Sequence, residues 1–321
     1  EGIIKGHKSV NVPAVHINLP AVTEKDRRFI EWAIGADIDF VAHSFVRSAR
    51  DLHEIQEILD AHDSHLKIIS KIENQQGIDN LDEILTYSYG IMVARGDLGV
   101  EIPAERIPLI QRDIVKACRN RKKPVIIATQ MLQSMIENPR PTRAEVTDVA
   151  NAIFQSADAI MLSGESAYGK YPVEAVETMT KIALQTEKTI DVNLELNLKN
   201  AVKPVAVVIA RSLVAATQEL PVKALVFDTY TGRVGRYLST YRPKVPVYAM
   251  CYNSCTMREL ALVFGIEAYP FSRVNDKEEF SAKSIDLLTR DGKISQGDLI
   301  GFIGGVFGAQ MGATYMELKY V

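Results

Sequence analysis

The sequence contains little cysteine, no long apolar run and no large excess of charge of one sign. Its three cysteines are Cys118, Cys251 and Cys255, an odd number without the spacing of a disulfide scaffold. No stretch reaches the roughly 18–20 apolar residues of a membrane-spanning helix, and the first residues do not resemble a signal peptide. We therefore expect free, buried or half-buried thiols and a cytoplasmic protein without a membrane partner.

The charge balance also limits the choice of partners. Lysine and arginine total 37, against 40 aspartate and glutamate residues, which gives a formal net charge of −3. There is no broad basic field of the kind that attracts nucleic acid, so we expect no nucleic-acid partner. The apolar content of 47% and the length of 321 residues fit a globular protein with two domains.

The first part of the chain alternates short apolar runs with helical patterns. Runs that are rich in Ile, Val and Met and flanked by polar breaks are typical of strands in parallel sheets. Successive runs begin 23 to 35 residues apart, which suits repeated βα units. The predicted strands are 39–45 (DFVAHSF), 67–73 (KIISKIE), 90–96 (GIMVARG), 124–130 (PVIIATQ) and 159–165 (AIMLSGE).

All five predicted strands end in polar or small residues. The active sites of parallel α/β proteins lie beyond the carboxyl ends of the strands. Polar residues at five consecutive strand ends favour a (β/α)8 barrel of the TIM type over an open sheet. In an open sheet, only the strands near the switch point would have such residues at their ends. Such a barrel has eight strands. We interpret residues 1–195 as the last five βα units, with three further strands expected before Glu1.

A second domain is predicted over residues 196–321. The preceding segment, 191–203, is polar and lacks a strong period, and new apolar runs alternate with helical patterns after it. The predicted strands are 205–210, 224–227, 245–249, 299–303 and 315–320, and the predicted helices lie near 211–219, 233–241, 254–264 and 277–290. This pattern indicates a separate α/β domain.

Helix starts can be identified in the first domain. Thr142 followed by Glu145 forms a capping-box pattern, and the apolar residues after it predict a buried face that includes Val146 and Phe154. Thr23 and Ser48 each have an aspartate three residues later and are weaker predictions of the same kind.

Two neighbouring strand ends carry the strongest chemical signal. Lys71 and Glu73 are two residues apart on a strand, so their side chains share one face, and Asp97 follows the next strand. Carboxylates at adjacent strand ends can share a divalent cation such as Mg²⁺, with Lys71 as a fixed positive charge beside it. That combination suits charge that develops on a phosphoryl group or an enolate. The alternative is a plain Lys71–Glu73 salt bridge with Asp97 as a helix cap.

Other strand-end residues are weaker candidates. Thr129 ends the next strand, where a hydroxyl could hold a water molecule or relay a proton, although a threonine in this place is more often structural. Ser44 and Phe45, together with Ser163 and Glu165, are candidates for the lining of a pocket.

Taken together, these strand ends resemble pyruvate kinase. The similarity is close from residue 18 to about residue 188 and looser through the second domain, which resembles that family's C-terminal domain. Its motifs are SKIEN at 70–74, IMVARGDLGVEIPAE at 91–105, KPVIIATQMLQSMI at 123–136, NPRPTRAEVTDVANAI at 138–153 and DAIMLSGESAYGKYPVEAV at 158–176. Several long motifs in one order are far more specific than any single short pattern.

The resemblance implies a reaction and a set of roles. Phosphoenolpyruvate and ADP would give pyruvate and ATP in glycolysis. Glu73 and Asp97 would hold Mg²⁺ or Mn²⁺, and Lys71 would stabilise the phosphoryl group in transfer. Backbone N–H groups around Gly96 and Asp97 would receive the substrate carboxylate. Thr129 would lie on the side where the enolate is protonated, with the proton donor left open.

The resemblance also implies features that this chain does not carry. In the family, K⁺ ligands and part of the nucleotide site lie on earlier barrel strands, and a lid domain follows the third strand. Glu1 corresponds to a position just after that lid. We therefore expect K⁺ to be a cofactor whose ligands lie outside this chain, and we expect the chain alone to be inactive. A homotetramer is expected, as in the family.

The second domain of this family often binds a phosphorylated effector. Here a polar loop opens a predicted helix, where hydroxyl and N–H groups suit a phosphate, although a simple helix cap is an equal alternative. The loop comprises Thr229, Tyr230, Thr231, Gly232 and Arg233. The later glycine-rich segment, 304–312, has no Lys or Arg, so a bisphosphate is disfavoured and a sugar phosphate or nucleotide stays open.

Two other functions remain as alternatives. One is a Mg²⁺-dependent pyruvate or phosphoenolpyruvate aldolase or lyase on a similar barrel, which would need neither the second domain nor the long segment at 138–153. The other is a non-catalytic fragment that binds a phosphorylated effector through residues 200–321.

Overall fold

The computed structural model describes residues 20–195, 203–305 and 313–321. The first part of the chain forms a sheet of five parallel strands in sequential order. These strands are β1 (Phe40–His43), β2 (Lys67–Ile72), β3 (Gly90–Ala94), β4 (Val125–Ala128) and β5 (Ala159–Met161). Sequential parallel order with a helix after each strand is the arrangement of barrel βα units.

Helices connect the strands and cover one face of this sheet. They are α1 (Glu24–Gly35), α2 (Ala49–Ala61), α3 (Gln75–Asp79), α4 (Leu81–Tyr87), α5 (Arg95–Glu101), α6 (Ile107–Arg121), α7 (Arg143–Phe154), α8 (Gly164–Ala167) and α9 (Pro172–Glu187). The main core lies between these helices and the sheet. A smaller apolar cluster, which includes Ile69, Met92 and Ile126, lies on the opposite face.

The second part of the chain forms a separate α/β sheet in the order β10-β9-β6-β7-β8. Only β10 runs antiparallel to its neighbour, and the two faces pack into different cores. The elements are α10 (Pro204–Glu219), β6 (Val222–Thr229), α11 (Arg233–Thr240), β7 (Val247–Cys251), α12 (Ser254–Leu260), β8 (Ile266–Pro270), α13 (Lys277–Arg290), β9 (Leu299–Gly305) and β10 (Ala313–Tyr320).

One strand prediction in the second domain was wrong, and one strand was missed. The predicted strand at 205–210 lies in α10, because Ala206, Val207 and Ala210 are buried while Val205 is exposed, which is a helical spacing. A short apolar run cannot be assigned to a helix or to a strand by its pattern alone. Strand β8 was missed because it is half-buried and ends in a proline, which only an edge position tolerates.

The five barrel strands exist as predicted but are shorter than predicted. They stop at His43, Ile72, Ala94, Ala128 and Met161, so the polar residues after them begin loops and helices instead. Strands β3 and β4 are buried throughout, whereas β1 and β5 are half-buried.

The capping boxes at Thr23 and Thr142 are confirmed, with Asp26 and Glu145 as the reciprocal partners. Ser48 occupies an N-cap position but its side chain makes no capping hydrogen bond. The buried face predicted for α7 is wrong in part, because Val146 and Phe154 are exposed.

Three further predictions concern boundaries, thiols and membranes. The domain boundary predicted between residues 195 and 196 lies beside 196–202, outside the described residues, and stays a prediction. All three cysteines are free, two of them buried and one half-buried, as expected. In the described ranges, no helix is both long enough and apolar enough to cross a membrane.

Candidate active site

Alternate residues of β2 face opposite sides of the first sheet. Ile68 and Ile72 pack into the core beneath the helices, whereas Ile69 belongs to the cluster on the other face. Lys71 follows Ile69 by two residues and therefore shares that second face, and Glu73 continues the alternation past the end of the strand. The two residues thus point away from the helices, as barrel-interior residues do.

A compact polar cluster joins the ends of β1 and β2. Lys71 Nζ lies 2.8 Å from Glu73 Oε1 and donates a hydrogen bond to Ser44 Oγ at 2.9 Å. The Phe45 N–H donates to Glu73 Oε2 at 2.7 Å. The structure therefore brings together four residues that the sequence singled out on two different strands.

The Glu73 carboxylate fits a divalent cation. Its side chain is completely buried, and Oε1 forms no hydrogen bond of suitable angle with any described residue, although Lys71 Nζ is close. The Lys71 ammonium already compensates part of the charge on this buried oxygen, and an ion at the same oxygen would add a second cationic partner. Carboxylate oxygens are the ligands that Mg²⁺ prefers.

Asp97 lies one helical turn beyond the end of the neighbouring strand. The pairing of Ile72 with Val93 sets the ends of β2 and β3 side by side, and Asp97 falls in the first turn of α5. Its side chain is exposed, and it makes no ion pair or hydrogen bond within the described part of the chain. It is thus an accessible carboxylate that follows the strand next to Glu73.

Thr129 links the end of β4 to the start of α5. Its hydroxyl accepts a hydrogen bond from the Gly96 N–H at 2.9 Å and donates to the Ala128 carbonyl at 2.7 Å. The Gly96 N–H, which the family resemblance assigns to the substrate carboxylate, is therefore engaged by Thr129 in this structure. The Thr129 hydroxyl proton is likewise directed at a backbone carbonyl.

Arg95 is a buried residue of the site region to which the sequence analysis gave no role. Its guanidinium pairs with Asp148 of α7 at 2.6 Å and donates to the Thr129 carbonyl at 2.7 Å and to Met131 Sδ at 2.8 Å. These bonds fix the ends of β3 and β4 to each other. Arg95 could have been noticed as a charge directly after an apolar strand, but Asp148 has no local signal.

Glu165, a candidate for the pocket lining, instead holds two loops together. It is completely buried, and its carboxylate accepts hydrogen bonds from the backbone N–H groups of Leu132 at 3.0 Å and Ser163 at 2.9 Å. The loops after β4 and β5 are therefore fastened to each other through this side chain.

Three residues directly after the strands have left-handed backbone conformations. The φ angles are +53° at Phe45, +66° at Thr129 and +56° at Gln130. Such angles are costly for non-glycine residues, and most of all for a β-branched threonine. Strained backbone of this kind concentrates at functional sites, where the surrounding structure maintains it.

The predicted effector loop lies between β6 and α11. Thr229 is buried, and its hydroxyl accepts hydrogen bonds from the N–H groups of Thr231 at 3.2 Å and Gly232 at 2.8 Å. Gly232 has a φ of +67° and precedes Arg233, the first residue of α11. The Thr229 hydroxyl thus shapes the turn before α11, although it does not cap the helix with a side-chain hydrogen bond.

A half-buried carboxylate lies beside this loop. The Tyr252 hydroxyl donates to Asp228 Oδ2 at 3.0 Å, and the Tyr252 ring lies 4.5 Å from the Tyr230 ring. Burial raises the pKa of Asp228, and the hydrogen bond from Tyr252 opposes that shift only in part.

Parallel strands in sequential order, with charged side chains beyond their carboxyl ends, define a (β/α)8-type barrel of which five βα units are described, followed by a separate α/β domain. A family model of the pyruvate kinase barrel domain matches residues 1–176, and a model of the pyruvate kinase alpha/beta domain matches residues 207–316. The chain belongs to the pyruvate kinase family.

Curated relatives support the same assignment. The chain is 48% identical over 323 residues to the pyruvate kinase of Geobacillus stearothermophilus and 45% identical over 332 residues to that of Borreliella burgdorferi. Both alignments cover 100% of this chain, and they cover 55% and 68% of the two relatives. The chain thus spans about half the length of the Geobacillus protein.

Proposed function

We propose that this chain contributes to a pyruvate kinase that transfers the phosphoryl group of phosphoenolpyruvate to ADP and yields pyruvate and ATP. The observation that carries the proposal is the buried Glu73 oxygen beside Lys71 at the end of a barrel strand. The identity to proteins named pyruvate kinase over the whole chain supports it. The match of a second domain at 207–316 favours a pyruvate kinase over a lone-barrel aldolase or lyase.

Lys71 supplies a positioned positive charge. Its ammonium group is held by Glu73 and by Ser44 Oγ, so its position is set before substrate arrives. A preorganised cation stabilises charge that develops on the transferring phosphoryl oxygens without a cost of reorganisation. Phe45 contributes through its backbone N–H, which fixes the second oxygen of Glu73.

Glu73 and Asp97 are the residues that would hold Mg²⁺ or Mn²⁺. When bound, such an ion neutralises charge on the substrate phosphoryl group and orients it. Glu73 offers a buried oxygen and Asp97 an accessible carboxylate on the neighbouring strand end. A requirement for K⁺ belongs to the same proposal, with ligands outside the described residues.

Thr129 and Gly96 form the far wall of the proposed site. The Thr129 hydroxyl is bonded to the Gly96 N–H and to the Ala128 carbonyl, so it orients the start of α5. For the Gly96 N–H to bind the substrate carboxylate, this hydrogen bond must be exchanged. We assign Thr129 a positioning role beside the enolate and leave the proton donor to another group.

The test of the metal and charge roles uses single substitutions in the natural protein. Glu73→Gln, Asp97→Asn and Lys71→Met should each lower kcat by about 10²–10³ in a coupled pyruvate-release assay, and the first two should also raise the Mg²⁺ concentration needed for half-maximal rate. Glu57→Gln changes an exposed carboxylate of α2 and is the matched control. Near-normal activity in both carboxylate variants would refute the assignment.

The same assay separates the alternatives. A kinase consumes phosphoenolpyruvate only when ADP is present, whereas a lyase or aldolase does so without it. Thermal stabilisation by a sugar phosphate or nucleotide without any turnover would instead favour a non-catalytic binding protein. Pyruvate release in proportion to added ADP supports the proposal.

Assembly, effector and location form the remaining part of the proposal. A homotetramer and a cytoplasmic location are proposed from the family, and three free cysteines fit a reducing compartment. A phosphorylated effector, either a sugar phosphate or a nucleotide, would bind at the loop of Thr229, Tyr230, Thr231, Gly232 and Arg233. The left-handed Gly232 at the start of α11 supports this placement.

A further inference from the structure

Three side chains able to bind a metal ion meet at the end of the first sheet opposite to the candidate active site. Asp37 lies between α1 and β1, His65 lies between α2 and β2, and Cys255 lies in the first turn of α12 in the second domain. Their ligand atoms all lie within 4.8 Å of one another. Since Asp37 and His65 precede their strands, the cluster is at the amino ends of β1 and β2.

The spacing of the cluster suits a tetrahedral ion. His65 Nε2 lies 3.3 Å from Asp37 Oδ1. Two ligands with bonds of about 2.0–2.2 Å to one tetrahedral zinc ion lie roughly 3.4 Å apart. His65 Nε2 is also shielded from solvent, and it makes no hydrogen bond of suitable geometry within the described residues, so the neutral imidazole could present its lone pair to an ion here.

A neighbouring arginine supports the outer side of the cluster. Arg258 Nη2 lies 2.9 Å from Asp37 Oδ2, the oxygen other than the one nearest His65. Arg258 Nε donates to both carboxylate oxygens of Asp39, at 2.8 and 3.0 Å. A hydrogen bond to the outer oxygen of a carboxylate ligand is the usual support of a metal site.

With His65 neutral and Cys255 deprotonated, as metal ligands must be, the charges of the cluster balance when a divalent ion is included. Asp37, Asp39 and the Cys255 thiolate contribute three negative charges, Arg258 contributes one positive charge, and the ion contributes two. Without an ion, a deprotonated Cys255 would leave the group with a net negative charge, although Arg258 Nη2 lies 3.8 Å from the sulfur. The ion would therefore stabilise the thiolate form, and the thiol proton would pass to solvent on binding.

We propose that Asp37, His65 and Cys255 bind one divalent transition-metal ion of the Zn²⁺ class, with water in the fourth position. A thiolate and an imidazole select Zn²⁺ or Co²⁺ and disfavour Mg²⁺, so the site is chemically distinct from the carboxylates at the opposite strand ends. Because two ligands belong to the barrel and one to α12, the ion joins the two domains.

Cobalt provides a direct test, because Co²⁺ bound to a thiolate has a near-ultraviolet charge-transfer band that oxygen ligands do not give. The purified protein, reduced and free of chelator, is titrated with CoCl₂ in excess Mg²⁺. We expect the band to appear with one equivalent of Co²⁺ and to disappear when ZnCl₂ is added. Cys255→Ser should abolish the band, and His65→Gln should weaken Co²⁺ binding at least about 10-fold.

Control variants separate this site from the others. His53→Gln changes an exposed histidine of α2 and should leave the band intact, and so should Glu73→Gln. ZnCl₂ should raise the Tm of the wild-type protein but not that of Cys255→Ser, with circular dichroism to establish that the variant folds. No band in the folded wild-type protein, or a band that persists in Cys255→Ser, would overturn the proposal.

Discussion

The strongest stability prediction concerns a buried ion pair between the two domains. Arg242, just after α11, has a side chain that is 2% exposed, and its Nη1 lies 3.0 Å from Oδ1 of Asp158, which is 9% exposed. The same guanidinium donates to the carbonyls of Ser156 and Ser239 and lies 4.3 Å from the Phe264 ring. Nearly all polar neighbours of Arg242 are therefore in the protein and not in water.

Replacing Arg242 by Met should strongly destabilise the folded protein. The substitution keeps much of the side-chain volume but leaves the Asp158 carboxylate buried without its cation, which costs about 3–5 kcal/mol. Asp158 Oδ2 keeps the hydrogen bond from the Val125 N–H at 2.9 Å, so the carboxylate is not wholly without partners. We therefore expect the lower part of that range.

The double variant Arg242→Met with Asp158→Asn tests the cause of the loss. Since it removes the unpaired charge, its cost should be about 1–3 kcal/mol smaller than the sum of the two single costs. Lys244→Met is the control, because its ion pair with Asp191 is exposed and contributes at most about 1 kcal/mol.

The measurement is equilibrium unfolding in urea, followed by far-ultraviolet circular dichroism. The free energy of unfolding is compared among the wild-type protein, the two single variants, the double variant and the control. If Arg242→Met lost less than about 1 kcal/mol, or if the two single costs were additive, the ion pair would not be the source of the stability.

Two smaller predictions follow from burial. Among the three thiols, only Cys255 is not fully buried. One equivalent of an aromatic disulfide reagent should therefore react with the native protein, and three equivalents should react in guanidinium chloride. More than one fast-reacting thiol in the native protein would contradict this prediction. Asp228→Asn should raise the Tm at pH 7, because burial raises the pKa of Asp228 and the charged form destabilises the folded state as the pH rises above 3.8. The gain should shrink as the pH falls towards 4, and a Tm difference that does not change with pH would exclude the charge as its cause.

The barrel units and part of the site could be predicted because their signals are local. A buried strand is an apolar run, and two-residue alternation puts Lys71 and Glu73 on one face whatever surrounds them. The capping boxes at Thr23 and Thr142 depend only on residues three positions apart. None of these features depends on contacts that are distant along the chain.

The local sequence pattern did not predict two elements of the second domain correctly. The run at 205–210 has the composition of a strand, but Val208, between its buried positions, is exposed, and Pro204 begins a helix there. Strand β8 has only a half-buried pattern and exists because β7 offers it a free edge. In both cases, packing against neighbouring elements determined the secondary structure.

The sequence by itself determined which residues stand at the carboxyl ends of the barrel strands: the positions of Lys71, Glu73, Asp97 and Thr129 follow from periodicity and strand order. The tertiary structure alone decided which charges are held together from a distance. Arg95 meets Asp148, Arg242 meets Asp158, and Cys255 reaches the end of the barrel sheet. The physical reason is that an ion pair or a ligand cluster depends on the positions of atoms in space, and the 53 and 84 residues that separate the partners of the two ion pairs leave no periodic trace in the sequence.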